Sequence, residues 1–151
     1  MTSLALFAWF RTRFSRFEVA DHSMEPLLAP GDYLLTRLIR NGRAPRRGDV
    51  VVFRTGDRYL VKRVIGLPGE TVSVEAGVLM IDGIPFDDPW WSAATRPDGH
   101  WPVPQGSFFV FGDNRPGSAH DSRSSGPITR EQIHSVAVAR YWPLSGVRRL
   151  P

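Results

Sequence analysis

Two runs decide the fold: Asp49-Val50-Val51-Val52-Phe53-Arg54, and Tyr59-Leu60-Val61-Lys62-Arg63-Val64-Ile65-Gly66-Leu67. The first is nearly continuous β-branched chain and reads as a mostly buried strand. The second, closed by Pro68-Gly69, reads as another. Period-two alternation sets Leu60, Lys62 and Val64 on one face and Val61, Arg63 and Ile65 on the other. Apolar residues stand on both faces, so the pattern leaves two readings of Lys62 open. It points to solvent, or it lies among apolar neighbours, where desolvation lowers an amine pKa and makes the group available as a general base.

Outward from these runs, the chain continues as strands. Phe17 to Ala20 and Asp32 to Ile39 precede them. Thr71 to Val74 and Val78 to Ile81 form a hairpin about Ala76-Gly77, and Asp82-Gly83 marks a further turn. Residues 85–104, rich in Pro, Trp and Asp, read as a long loop. Ser107 to Phe111 is a strand, 114–127 a polar loop, Thr129 to Ile133 one capped helical turn, and Ser135 to Trp142 a last strand. With 14 Gly and 13 Pro in 151 residues, many short strands and turns are expected rather than long helices. The length suits one domain, taken as residues 17–151, which can bury a core without staples.

The N-terminal segment, residues 1–16, differs. Leu4 to Phe10 is apolar, and Arg11, Arg13 and Arg16 follow. Seven residues are far short of the ~20 a helix needs to cross a bilayer. The charges follow the apolar stretch, the reverse of a signal peptide. A short helix is expected here, lying in a membrane interface or packed on the domain.

Composition narrows the chemistry. The chain has no Cys, which excludes disulfides, thiolate metal sites and a cysteine nucleophile. Of the 19 basic residues eighteen are Arg and one, Lys62, is Lys. Arg stays protonated in proteins whereas a buried Lys need not, so one side chain alone can serve as a neutral primary amine. Ser23 lies where a strand gives way to a Pro-bounded turn, Asp21-His22-Ser23-Met24-Glu25-Pro26. Such a junction can present a hydroxyl and backbone N–H groups to a carbonyl, although a Ser there is more often a cap. His22, His100, His120 and His134 raise a Ser–His–Asp arrangement, but no Gly-x-Ser-x-Gly elbow occurs. The histidines lack zinc-ligand spacing, and no phosphate-cradling Gly pattern appears. Arg43, Arg46 and Arg47 form a basic loop without interleaved aromatics, so no nucleic-acid partner is expected.

Three segments taken in order resemble the type I signal peptidase family, membrane-linked serine peptidases that use a Ser–Lys dyad. They are Ser23-Met24-Glu25-Pro26 with Gly31-Asp32, then Lys62 to Glu70, then Gly112-Asp113-Asn114-Arg115 with Ser118 and Asp121-Ser122-Arg123. Gly48 to Phe53 matches the intervening strand, and the resemblance runs from about Val19 to Tyr141. It implies a mainly β, mixed and largely antiparallel, barrel-like catalytic core. It implies Ser23 as nucleophile and oxyanion donor through its N–H, and Lys62 as base. Ser118 would orient Lys62, Asp121 and Arg123 would pair to brace a loop, and Asp113, Asn114 and Arg115 would be scaffold. Neither cofactor nor metal is implied. The substrate would be a precursor cleaved after small residues of the Ala-x-Ala kind.

Two departures stand out against that family. Asp21 occupies a position where the family usually has a Ser or Gly that helps form the oxyanion hole. Three residues lead from Ser118 to Asp121 where the family has two. The family's transmembrane anchor is also not matched, so peripheral attachment to the cell membrane is expected, with a cytoplasmic location as the alternative. Two other functions stay open: a soluble maturation peptidase trimming one propeptide, and a non-catalytic β-domain whose basic surface binds anionic lipid, nucleic acid or another protein.

Overall fold

The computed structural model describes residues 13–39 and 43–151. Among these residues twelve strands carry the fold. They are β1 (Phe14–Glu18), β2 (Tyr33–Leu38), β3 (Val50–Thr55), β4 (Arg58–Gly66), β5 (Thr71–Glu75) and β6 (Val78–Ile81), followed by β7 (Ile84–Pro85), β8 (Gly99–Pro102), β9 (Ser107–Phe111), β10 (Ile128–Thr129), β11 (Ile133–Trp142) and β12 (Arg148–Arg149). An eight-stranded sheet runs β1-β2-β11-β3-β4-β9-β10, with β12 on β11, and a four-stranded sheet runs β7-β6-β5-β8. Every strand pairing among the described residues is antiparallel, so the parallel component implied by "mixed" does not occur there. No helix among those residues is long and apolar enough to cross a membrane.

The two runs quoted first are the centre of the larger sheet. β3 lies between β11 and β4, and Val50 to Phe53 are buried without a break. Antiparallel sheets often wet one face, but apolar clusters cover both faces of this strand. Val51 and Phe53 join Val64, Val110, Ile128 and Ile133 in one cluster. Val50 joins Val19, Met24, Leu28, Leu34 and Ala137 in another. Ile65, Phe109 and Phe111 pack with Val72, Val74 and Leu79 in a third, which joins the two sheets. Gly66 makes that contact possible. A Cβ there would sit 2.5 Å from a Val72 methyl and 2.8 Å from Phe109 Cβ.

The hairpin at Ala76-Gly77 forms as read. Both residues have positive φ, 50° and 85°, the combination a tight two-residue turn needs to follow the strands' twist. Three readings need correction. The first strand starts at Phe14, so it crosses the boundary drawn between 1–16 and the domain. The loop 85–104 contains β8, hydrogen-bonded along β5. The loop 114–127 contains one helical turn, α1 (Ser122–Ser125), capped by the Asp121 carboxylate, which accepts from Arg123 N. The expected N-terminal helix falls mainly on residues 1–12, outside those described.

Candidate active site

Ser23 sits in the connection from β1 to β2. Met24 and Leu28, 1% and 0% exposed, plug this turn into the second cluster, and Leu28 N–H closes it by donating to Met24 O. The Ser23 carbonyl accepts from the Asn114 backbone N–H at 3.0 Å. The His22 carbonyl accepts from Asn114 Nδ2, also at 3.0 Å. Ser23 itself is 5% exposed.

Lys62 takes the second of its two readings, the buried one. It is 2% exposed and pairs across the sheet with Val51. Its flanking face-mates Leu60 and Val64 belong to the first cluster. Its Nζ lies 2.6 Å from Ser23 Oγ and 3.1 Å from the Val61 carbonyl. Burial pushes the amine below its ordinary value of 10.5, while the carboxylates of Asp21, Asp121 and Asp113 pull the other way without reversing the shift. In the charged form Nζ donates to Oγ. Once neutral, its lone pair lies on the same line and can accept the hydroxyl proton.

One short turn fixes both partners. Asp113 forms a two-pronged ion pair with Arg63, the residue after Lys62, at 2.7 and 2.6 Å. Arg63 also donates to Gly48 O at 2.8 Å, and the Trp90 ring lies 4.5 Å from its guanidinium. Asn114, next in sequence to Asp113, holds the backbone of the Ser23 turn. Gly112 completes the arrangement, because a Cβ there would lie 2.6 Å from Ser23 O and 2.4 Å from Ser118 Cβ. Gly112→Ala should therefore push the Ser23 backbone aside. A displacement approaching 1 Å lowers turnover by about 10²-fold, to be checked by comparing kcat with thermal stability.

The remaining candidates gather behind this turn. Arg115 donates to Gly112 O at 2.9 Å, to Thr95 Oγ1 at 3.2 Å and to the Asp88 carboxylate. Asp121 and Arg123 form the expected ion pair at 2.7 Å. Burial works to raise the Asp121 pKa, but Arg123, Ser118 and Gly112 N–H outweigh it, and the carboxyl is held below its ordinary range. The Ser118 hydroxyl donates to Asp121 at 2.8 Å. The expected bond from Ser118 to Lys62 is thus not made: among the described residues, the hydrogen bonds of Nζ go to Ser23 and Val61. The three-residue spacing brings an ionised carboxylate within reach, and that is the stronger acceptor.

Asp21, exposed at the surface, turns its carboxylate toward the backbone of Ser23. Its Oδ1 accepts from Ser23 N–H at 2.9 Å. Burial would raise its pKa, but the Ser23 hydroxyl and N–H, with Lys62 and His22, hold it below the usual carboxylate value. Among the described residues no histidine ring joins the Ser23–Lys62 hydrogen bonds. His22 Nδ1 meets Glu25 at 3.0 Å in an exposed pair, and His134 packs edge-on against Phe17 and Tyr59. Among the described residues no three His, Asp or Glu converge where they could share a metal ion.

Sequence reasoning did not find Arg63, Asp88 and Thr95 as braces. A guanidinium in the middle of an apolar strand was the available signal for Arg63, since a buried charge demands a partner.

A family model described as signal peptidase, peptidase S26, matches residues 1–142. The chain is 37% identical to signal peptidase I of Leptolyngbya laminosa, over 87% of this chain and 70% of that one. It is 33% identical to signal peptidase I of Bacillus caldolyticus, over 86% and 80% respectively. A solved signal peptidase I from Enterococcus faecalis V583 superposes with a TM-score of 0.55 at 30% identity, covering 62% of this chain and 97% of that one.

Proposed function

The chain belongs to the signal peptidase family, peptidase S26, and is a serine endopeptidase; from that premise we propose that it removes signal peptides through a Ser23–Lys62 dyad. One observation carries the reading: the only lysine of the chain is buried with its amine 2.6 Å from the Ser23 hydroxyl. Neutral Lys62 takes the hydroxyl proton as Oγ bonds to the scissile carbonyl carbon, and the carbonyl electrons move onto oxygen. Protonated Lys62 then returns the proton to the leaving amine. Water attacks the acyl-enzyme by the same base, which restores Ser23. Ser23 N–H is the donor for the oxyanion.

β1 stands at the end of the larger sheet's strand order and leads into the Ser23 turn. An extended substrate lying along this segment would use backbone pairing for affinity and shallow pockets for small side chains, the Ala-x-Ala pattern. The basic segment ending at Arg16 would meet an anionic membrane surface, where such precursors are delivered.

The test is turnover of a signal-peptide-bearing precursor in detergent, with Ser23→Ala as control. The rate should rise with pH along a limb set by Lys62, because only the neutral amine accepts a proton. Burial lowers its pKa, so the limb should fall below 10.5. Equal cleavage by Ser23→Ala, or a rate falling as pH rises through that limb, rejects the dyad.

A further inference from the structure

Asp21 is not needed by that mechanism and opposes it. The oxyanion formed on a substrate carbonyl must accept from Ser23 N–H, yet this N–H already donates to the Asp21 carboxylate at 2.9 Å. An ionised carboxylate has no proton to offer and so cannot join the donors. Its charge also repels a second anion brought to the same N–H. Asp21 further acts on Lys62, where its charge favours the protonated amine, the form that cannot act as base.

Resting on the Ser23–Lys62 reading, we infer that the Asp21 carboxylate is a resident occupant of the oxyanion position, which a substrate carbonyl must displace before acylation. Acid cannot do this work. The Asp21 pKa lies below the ordinary carboxylate value, so a pH low enough to neutralise it also protonates Lys62. Asp113 and Asp121, the other carboxylates acting on Lys62, are held in ion pairs with Arg63 and Arg123 and stay in place. Neighbouring His22 is exposed and paired with Glu25. Displacement is therefore driven by binding. Asp21 is exposed at the surface, so its carboxylate can turn out to water once the N–H is taken.

The test compares Asp21→Asn, Asp21→Ser and Asp21→Ala with the wild type on a precursor and on an alanine-ending peptide boronic acid, which forms a tetrahedral adduct on a serine Oγ. Removing the charge should raise kcat at least ~10-fold and tighten the boronate by a similar factor. It should also move the acid limb of the rate to lower pH. Because Lys62 is the only lysine, ¹³Cε-lysine labelling reads its titration without assignment, and its pKa should fall in Asp21→Asn. A purely structural Asp21, shaping the turn, predicts a slower Asp21→Ala enzyme and an unmoved lysine titration. That result overturns the inference while Ser23-dependent cleavage survives. No Ser23-dependent cleavage or boronate adduct in any of these proteins overturns the inference together with the dyad it rests on.

Discussion

Replacing Lys62 with Met should lower precursor cleavage by ~10⁴-fold or more, the scale on which loss of an essential base acts, while the protein melts no lower than before. The two halves have one cause. Lys62 is 2% exposed beside apolar side chains, and the burial that lowers its pKa also makes it expensive to fold as an ammonium. Met has similar length and volume and no charge to desolvate. Replacing a buried ion by a well-packed apolar group is often neutral or stabilising. The pH dependence gives the sign. The folded pKa is depressed below the ordinary 10.5, so between the two values the unfolded chain binds more protons. Wild-type stability therefore rises with pH across that window, and Lys62→Met should remove this contribution to the slope. Melting curves from pH 7 to 10 check it. A variant that loses both activity and stability would show that Lys62 is scaffold.

Asp113→Ala should do the opposite, harming the fold first. It leaves Arg63 charged at the centre of the larger sheet, where Arg63 and Asp113 side chains are 1% and 3% exposed. Breaking such a pair from one side costs about 3–5 kcal/mol, or roughly 6–20 °C in Tm for a chain of this size. The double variant Arg63→Met/Asp113→Leu, with no ion to desolvate, should recover much of the loss. A double variant as unstable as the sum of the single ones would mean that the pair is not the unit holding the sheet. Activity measured below the new Tm should still be reduced, because Asp113 precedes the residue that holds the Ser23 turn.

The sequence made the centre of the fold legible and left its cross-connections hidden. Val50 to Phe53 could hardly be anything but a buried strand, and Ala76-Gly77 is a turn by backbone chemistry alone. β8 was hidden because Gly99 and Pro102 bound only two ordinary strand residues inside a Trp- and Pro-rich stretch. Its strand character comes from the β5 ladder and not from its own propensity. The helical turn at Ser122 had a legible cap in Asp121, but one turn is too short to carry a periodic pattern. The Ser23 and Lys62 assignments came from the order of motifs. Alternation could not orient Lys62, because β4 turns out to be buried on both faces. The partners of Arg63 and Arg115 lie 50 and 27 residues away, and such choices depend on register, which no local pattern fixes. Asp21 stands out in the sequence as an oddity, but its hydrogen bond to Ser23 N–H depends on the geometry of the turn, which no sequence pattern fixes.

The distances along the chain between these groups bear on when the enzyme comes to exist. Oγ and Nζ meet across 39 residues and Asn114 reaches back across 92. The larger sheet closes only when β11, near the C-terminal end, enters between β2 and β3. Contacts of this range form late and slowly compared with local ones. If the proposed dyad carries the activity, a growing or half-folded chain therefore has a serine and a lysine but no nucleophile. Proteolytic power arrives with the last strands, and in refolding it should lag the appearance of β-structure. The hazard of a protease in the making is contained by topology.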